Sequence, residues 1–389
     1  MAQDDTKEEQ DYKLQLAHKR FLFRTQDVAD VDRSRLQREI LDLVQQHEMA
    51  PIYEEVCAEL GAAPDANRLA QMRERNAARL VELEEKITDA EVNAGEMEVR
   101  DALQAKAEFL CSIGDHAAAV EAFKAAEAKT AGVGPKMDLC FSQIRLELSR
   151  GDLQAVKAEL ERAKVLCGKG GDWERKNKLK VYEAVLRMAS RQFKRAAELL
   201  LDAIATFTSG ELMPYERCIF YTVVLAVVAL DRPTLKSKVI DSPEVLSVID
   251  SLPHLRPFVS SLYDCRYAAF FQAFAGLTDA IRADEYLHPH FRFYMREVRA
   301  VAYAQFLESY KSVTLASMAA TFGVSPEFLD AELADFIVAG RLPAKIDKVA
   351  GVVETNRPDA KTALYQAAIK QGDLLLNRVQ KLSKVVDIE

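Results

Sequence analysis

The sequence predicts a mainly α-helical protein: a right-handed helical solenoid, then a winged helix with a small β-hairpin, then a long C-terminal helix. Three observations lead there. The 389 residues contain only 15 Gly and 12 Pro, with 49% hydrophobic and 29% charged side chains, a composition suited to helices. Segments beginning at residues 114, 151 and 191 repeat one apolar pattern, at steps of 37 and 40 residues. Two short capped helices between 314 and 340 then precede an alternating, strand-like stretch.

The first segment, "MAQDDTKEEQDYK", is acidic and has no apolar stretch of the kind a secretory signal needs, so it is expected to be a disordered tail. The net charge of −8 argues against a broad surface for nucleic acid or anionic membrane. The six cysteines, Cys57, Cys111, Cys140, Cys167, Cys218 and Cys265, lack zinc-ligand spacing and fit reduced thiols of the cytoplasm or nucleus. Residues 67–93 combine strong helix formers with mixed charges, the pattern of an exposed helical rod.

The repeat follows. Aligning "GDHAAAVEAF", "GDLQAVKAEL" and "RQFKRAAELL" places Ala119, Val156 and Ala196 at the sixth position and Phe123, Leu160 and Leu200 at the tenth. A small or modest residue lets two helices approach, and a large one four residues on fills the same face. The A-x-x-x-F of Ala119 and Phe123 resembles a tetratricopeptide repeat, and the uneven period makes this a TPR-like solenoid, an architecture that offers extended surfaces to protein partners. Beyond it, "CIFYTVVLAVVAL" is thirteen residues long. That is short of the roughly 20 needed to span a bilayer, so it is expected to be a buried helix.

From Thr314 the chain carries a succession of helix signals. Thr314 caps one helix, Gly323 turns the chain, Ser325 with Pro326 opens the next, Val324 and Leu329 sit as a hydrophobic staple, and Gly340 ends it. Leu342, Ala344 and Ile346 then alternate, and "GVVETN" returns as the second strand of a hairpin. This is the layout of a winged helix, whose second helix reads DNA in many proteins. Here, Leu329, Leu333, Phe336 and Ile337 share an apolar arc, the rest carries Glu327, Asp330, Glu332 and Asp335, and the helix has no Lys or Arg. Four outward carboxylates would repel phosphates, so a joint between proteins is favoured over a nucleic-acid reader.

Chemistry-bearing motifs are absent. "CGKGGDWERK" lacks phosphate-loop spacing and fits a loop with Asp172 as helix cap, followed by a solvated basic face of Arg175, Lys176, Lys178 and Lys180. His288 and His290 flank Pro289 near Glu285 without metal-site spacing. No enzymatic activity, metal or cofactor is expected. The final helix aligns Leu364, Ala368, Leu375, Val379, Leu382 and Val386 in one stripe flanked by Leu374 and Leu376. That is more apolar surface than one contact face uses, which points to a bundle with other chains rather than to packing on its own domain.

Solenoid, winged helix and final helix in this order resemble the PCI-domain family, shared by the proteasome lid, the COP9 signalosome and a translation initiation factor. The strings "MAPIYEEVCAEL", "AEVNAGEMEVRDALQAKAEFLCSIGD", "GGDWERKNKLKVYEA", "SLYDCRYAAFFQ", "AGRLPAKIDKVAGVVETNRPD" and "GDLLLNRVQKLSKVV" are similar to the proteasome-lid branch over nearly the whole chain, the acidic tail excepted. The resemblance implies a non-catalytic scaffold of the regulatory particle, serving ATP-dependent degradation of ubiquitinated proteins in the cytoplasm and nucleus. It implies hetero-oligomeric partners: other PCI-domain lid subunits, the lid deubiquitinase module and the ATPase ring. By the same resemblance, Leu375, Val379, Leu382 and Val386 would face the bundle, and Leu342, Ile346 and Val353 would lie in the hairpin that meets a neighbour. Scaffolding of another PCI complex and, more remotely, nucleic-acid binding are the rival readings. The expected organisation is a tail and first helix over 1–30, repeats over 31–210, a helical segment over 211–310, the winged helix over 311–358 and the bundle helix over 359–389.

Overall fold

The computed structural model describes residues 10–25, 32–93, 95–356 and 360–386. Residues 1–9 of the expected disordered tail lie outside the described residues; its last four are corrected to ordered structure, since Gln10 donates to the Leu212 carbonyl and Asp11 caps a helix that begins at Tyr12. Two compact units emerge: residues 1–264 with 272–295, and residues 265–271 with 296–389.

The first unit begins with helices α1 (Tyr12–Arg24), α2 (Arg33–Gln46), α3 (Ala50–Leu60) and α4 (Ala66–Asn93). Helix α1 is held by its side chains as well as its backbone. Tyr12 stacks on His47 with ring centroids 3.6 Å apart, and its hydroxyl donates to the Ser112 carbonyl at 3.0 Å. The expected exposed rod is α4, and it is exposed on most of its surface; Leu69, Met72, Asn76, Leu83 and Ala90 form a buried seam along it.

Three hairpins follow: α5 (Glu96–Ile113) with α6 (His116–Lys129), α7 (Val133–Arg150) with α8 (Leu153–Gly170), and α9 (Trp173–Ala189) with α10 (Phe193–Ala203). Their turns coincide with the sequence repeat. Gly114 and Gly151 end α5 and α7 with φ of 82° and 77°, a conformation that costs any residue with a Cβ. Asp115 and Asp152 then cap α6 and α8 by accepting from backbone N–H groups. In the third copy Arg191 takes the glycine's place at φ 59°. The six aligned apolar side chains, Ala119, Val156, Ala196, Phe123, Leu160 and Leu200, are all buried. A small residue and a large one on each second helix thus fill the seam with its partner.

Helix α11 (Tyr215–Ala229) carries the long apolar run and is buried nearly all round. Short turns α12 (Arg232–Leu235) and α13 (Pro243–Leu246) lead to α14 (Leu255–Tyr263), α15 (Tyr267–Arg282) and α16 (Phe291–Leu307). His254 before α14 has φ 63°, and its ring lies so near Gly276 that a Cβ there would stand 2.7 Å from it.

The second unit contains β1 (Ser312–Thr314), α17 (Leu315–Phe322), α18 (Pro326–Val338), β2 (Ala344–Asp347), β3 (Val352–Thr355) and α19 (Ala360–Val386). The predicted caps are present: Thr314 accepts from Ser317 N–H, and Ser325 from Phe328 N–H. Gly340, at φ 69°, closes α18, with its own N–H donating to the Ile337 carbonyl and that of Arg341 to Phe336. The hairpin is part of a three-stranded antiparallel sheet of order β1-β3-β2, in which Val313 and Ile346 both pair with Val353. Phe322 is the hub of the unit's core, with the rings of Tyr267, Tyr303, Phe306 and Phe271 at centroid distances of 4.8, 5.0, 5.4 and 5.5 Å.

Candidate assembly surfaces

Helix α18 packs Leu329, Leu333 and Phe336 inward as expected, with Ile337 half-buried at the margin of the arc. The expectation of four outward carboxylates is corrected. Glu332 turns into the unit, where Arg299 donates through Nε and the Tyr303 hydroxyl donates at 2.6 Å. Burial and this carboxylate push the Tyr303 hydroxyl's pKa well up. Asp330 pairs with Lys348 Nζ on the hairpin at 3.0 Å. Glu327 and Asp335 remain exposed and have no ion-pair partner among the described residues. The helix is still acidic toward solvent, through two side chains instead of four.

The hairpin residues separate by direction. Leu342 and Val353 are 3% and 0% exposed and fill the unit's own core, while Ile346 is half-buried. The side chains of Leu342 and Val353 therefore support the sheet rather than line its surface. What the hairpin offers outward is the free side of β2, which pairs only with β3 among the described residues, and the exposed Lys345, Asp347, Lys348 and Val349. β1 was not anticipated from sequence. Three residues, "SVT", are too few to show alternation, and their strand character comes from pairing with β3, about 40 residues on.

Helix α19 is the least covered element. Leu375, Val379, Leu382 and Val386, predicted to face a bundle, are 65%, 54%, 63% and 64% exposed. Leu364, Tyr365, Ile369, Leu374, Leu376 and Val385 are also exposed, and no described side chain of the helix is buried. At 27 residues it is about 40 Å long. An isolated apolar helix of this size has no tertiary packing to stabilise it in water, so a partner that covers it would supply that packing.

The first unit shows how its conspicuous polar residues are spent. His288 Nδ1 donates to the Arg282 carbonyl at 2.8 Å and His290 Nε2 to the Ala189 carbonyl at 2.7 Å, which leaves them serving the backbone. Glu285 joins Asp284 and the Arg217 guanidinium, and its Oε2 lies 3.9 Å from His18 Nδ1. Burial pushes the Glu285 carboxyl up to about 7 and the His18 imidazole down to about 4. No group of three or more His, Cys, Asp or Glu among the described residues is placed to hold a metal ion. None of the described helices is long and apolar enough to cross a membrane. Asp172 caps α9 as predicted, but the basic face after it is only partly solvated. Arg175 grips Asp138 through Nε at 2.8 Å and Nη2 at 2.6 Å, and Lys178 lies 3.5 Å from Glu211.

A helical-repeat unit, a winged helix with acidic outward residues and an uncovered terminal helix define a PCI-type scaffold. The PCI-domain family description matches residues 274–357. The description "26S proteasome subunit RPN7" matches residues 65–238, and "26S proteasome regulatory subunit RPN7/PSMD6 C-terminal helix" matches residues 365–386. The chain is 54% identical over 375 residues to the 26S proteasome non-ATPase regulatory subunit 6 homolog of Arabidopsis thaliana, covering 96% of this chain and 97% of that one. Identity is 53% over 375 residues to the rice (Oryza sativa subsp. japonica) 26S proteasome non-ATPase regulatory subunit 6, covering 96% of both chains. To the 26S proteasome regulatory subunit RPN7 of Saccharomyces cerevisiae it is 37% over 397 residues, covering 96% and 92%. The chain belongs to the RPN7 family of 26S proteasome regulatory subunits.

Proposed function

We propose that the chain is a non-catalytic scaffold subunit of the lid of the proteasome regulatory particle, and that it supports ATP-dependent degradation of ubiquitinated proteins by holding the lid together. The observation that carries this reading is α19, whose stripe of Leu375, Val379, Leu382 and Val386 is uncovered along with the residues beside it. Its place is in a bundle with the terminal helices of other PCI-domain subunits, and the free side of β2 meets a neighbouring winged helix. Further contacts reach the lid deubiquitinase module and the ATPase ring, and the protein works in cytoplasm and nucleus. The histidines and carboxylates of the first unit, engaged by backbone carbonyls and by Arg217, have structural work and support a scaffold without chemistry of its own.

Removal of residues 360–389 tests the bundle. The truncated chain is expected to stay folded and helical by circular dichroism, because no described side chain of α19 is buried. It is expected to stop co-purifying with lid subunits. Full incorporation of the truncated chain would remove the bundle role.

A further inference from the structure

Helix α18 has a second face that neither the bundle helix nor the hairpin edge uses. Taking 100° per residue, Phe328, Asp335, Ala331, Val338 and Glu327 fall in that order within one arc of about 100°. All five are exposed, Phe328 by 50% and Val338 by 90%. Phe328 and Val338 lie about 15 Å apart along the axis, three turns of helix. Phe328, Ala331 and Val338 therefore make an apolar stripe that Asp335 interrupts between Ala331 and Val338, with Glu327 at its N-terminal edge.

The charges on this face differ from the others on the same helix. Asp330 and Glu332 are neutralised inside the unit by Lys348 and by Arg299 with Tyr303. Glu327 and Asp335 have no such partner among the described residues, and both stand beside exposed apolar side chains. The described side chains of α19, basic at Lys370, Arg378, Lys381 and Lys384, are themselves exposed, so the chain's own terminal helix does not cover the stripe.

We infer that this face of α18 docks a basic amphipathic helix from a neighbouring subunit of the particle. A partner helix with an apolar seam would pack along Phe328, Ala331 and Val338, and Lys or Arg on that helix would meet Asp335 within the stripe and Glu327 at its edge. In a DNA-reading winged helix this surface would meet a phosphate-lined groove; here its charge selects cations. The inference rests on the scaffold reading, since it needs the chain to be held within a particle.

The test is photocrosslinking in the purified regulatory particle, with a benzophenone amino acid at position 328, 338 or, as a control on α17, 316. Incorporation is followed on native gels. The expected result is that positions 328 and 338 capture one segment, identified by mass spectrometry as a helix bearing Lys or Arg beside an apolar seam, and that position 316 does not capture it. Exclusion of the 328 and 338 variants from particles that accept wild type and the 316 variant would equally mark the face as covered. An incorporated chain that captures nothing at 328 and 338, or captures an acidic or non-helical segment, overturns the inference and leaves the scaffold reading standing. Failure of the wild-type chain to enter the particle counts against the scaffold reading itself.

Discussion

Helix α11 buries Cys218, Ile219 and every residue from Tyr221 to Val227, whereas α19 buries none of its described side chains. Both helices carry several branched apolar residues. Those of α11 are enclosed by the first unit, and two of its polar groups are enclosed with them: Arg217 with Asp284 and Glu285, and the Tyr221 hydroxyl, which donates to Asp284 at 2.5 Å. Those of α19 face solvent. One helix has its partners in its own chain; the other, in the proposed function, has them in other subunits. In that reading the same residue types do opposite jobs: along α11 they set stability, and along α19 they set association.

The contrast predicts a graded series. Leu225→Ala on α11 removes a fully buried side chain and is expected to cost about 2–5 kcal/mol, read from chemical denaturation. Gly276→Ala places a Cβ against the His254 ring and is expected to cost about 1–3 kcal/mol through forced repacking, with a lowered melting temperature.

The Arg217 cluster adds a pH dependence. Glu285 has its carboxyl raised to about 7, so the folded state holds that proton more tightly than the unfolded state does. Its contribution to stability is present below the ordinary carboxylate range and is lost as pH rises through about 7. His18 is lowered to about 4, so its contribution is present above the ordinary histidine value and is lost as pH falls toward about 4. Denaturation of Glu285→Gln between pH 5 and 8 is expected to lack the decline toward neutral pH, and His18→Gln to lack the decline toward acid. A Glu285→Gln profile identical to that of wild type would contradict the placement of this carboxylate. The smallest effect is expected at Leu382→Ala on α19, within about 0.5 kcal/mol, because the side chain is 63% exposed.

Much of the fold was legible because its signals are local. A Gly-Asp turn followed by an apolar residue at a fixed distance marks each of two hairpins, and Thr314, Ser325 and Gly340 mark helix ends through atoms within a few residues of themselves. What was not legible depends on distant residues. Glu332 looked solvent-facing by helical position, and it is drawn inward by Arg299 and Tyr303, 33 and 29 residues earlier. Phe322 ended a helix in the sequence, and it became the hub of the core because Tyr267, Phe271, Tyr303 and Phe306 converge on it. Along the hairpin the alternation of Leu342, Ala344 and Ile346 was visible, but alternation does not say whether a face meets the core or a neighbour. The excess of apolar residues on α19 was visible at once, because no single contact face would use them all.

The most direct test of the account replaces two stripe residues at once, Val379→Asp with Leu382→Asp, in the full-length chain. Melting temperature and incorporation into the regulatory particle are measured on the same preparation. The account predicts a melting temperature unchanged from wild type and loss of incorporation, since both side chains are more than half exposed in their own chain and, in the proposed function, are covered by other subunits. A variant that enters the particle as well as wild type, or one whose melting temperature falls as far as that of Leu225→Ala, would contradict it.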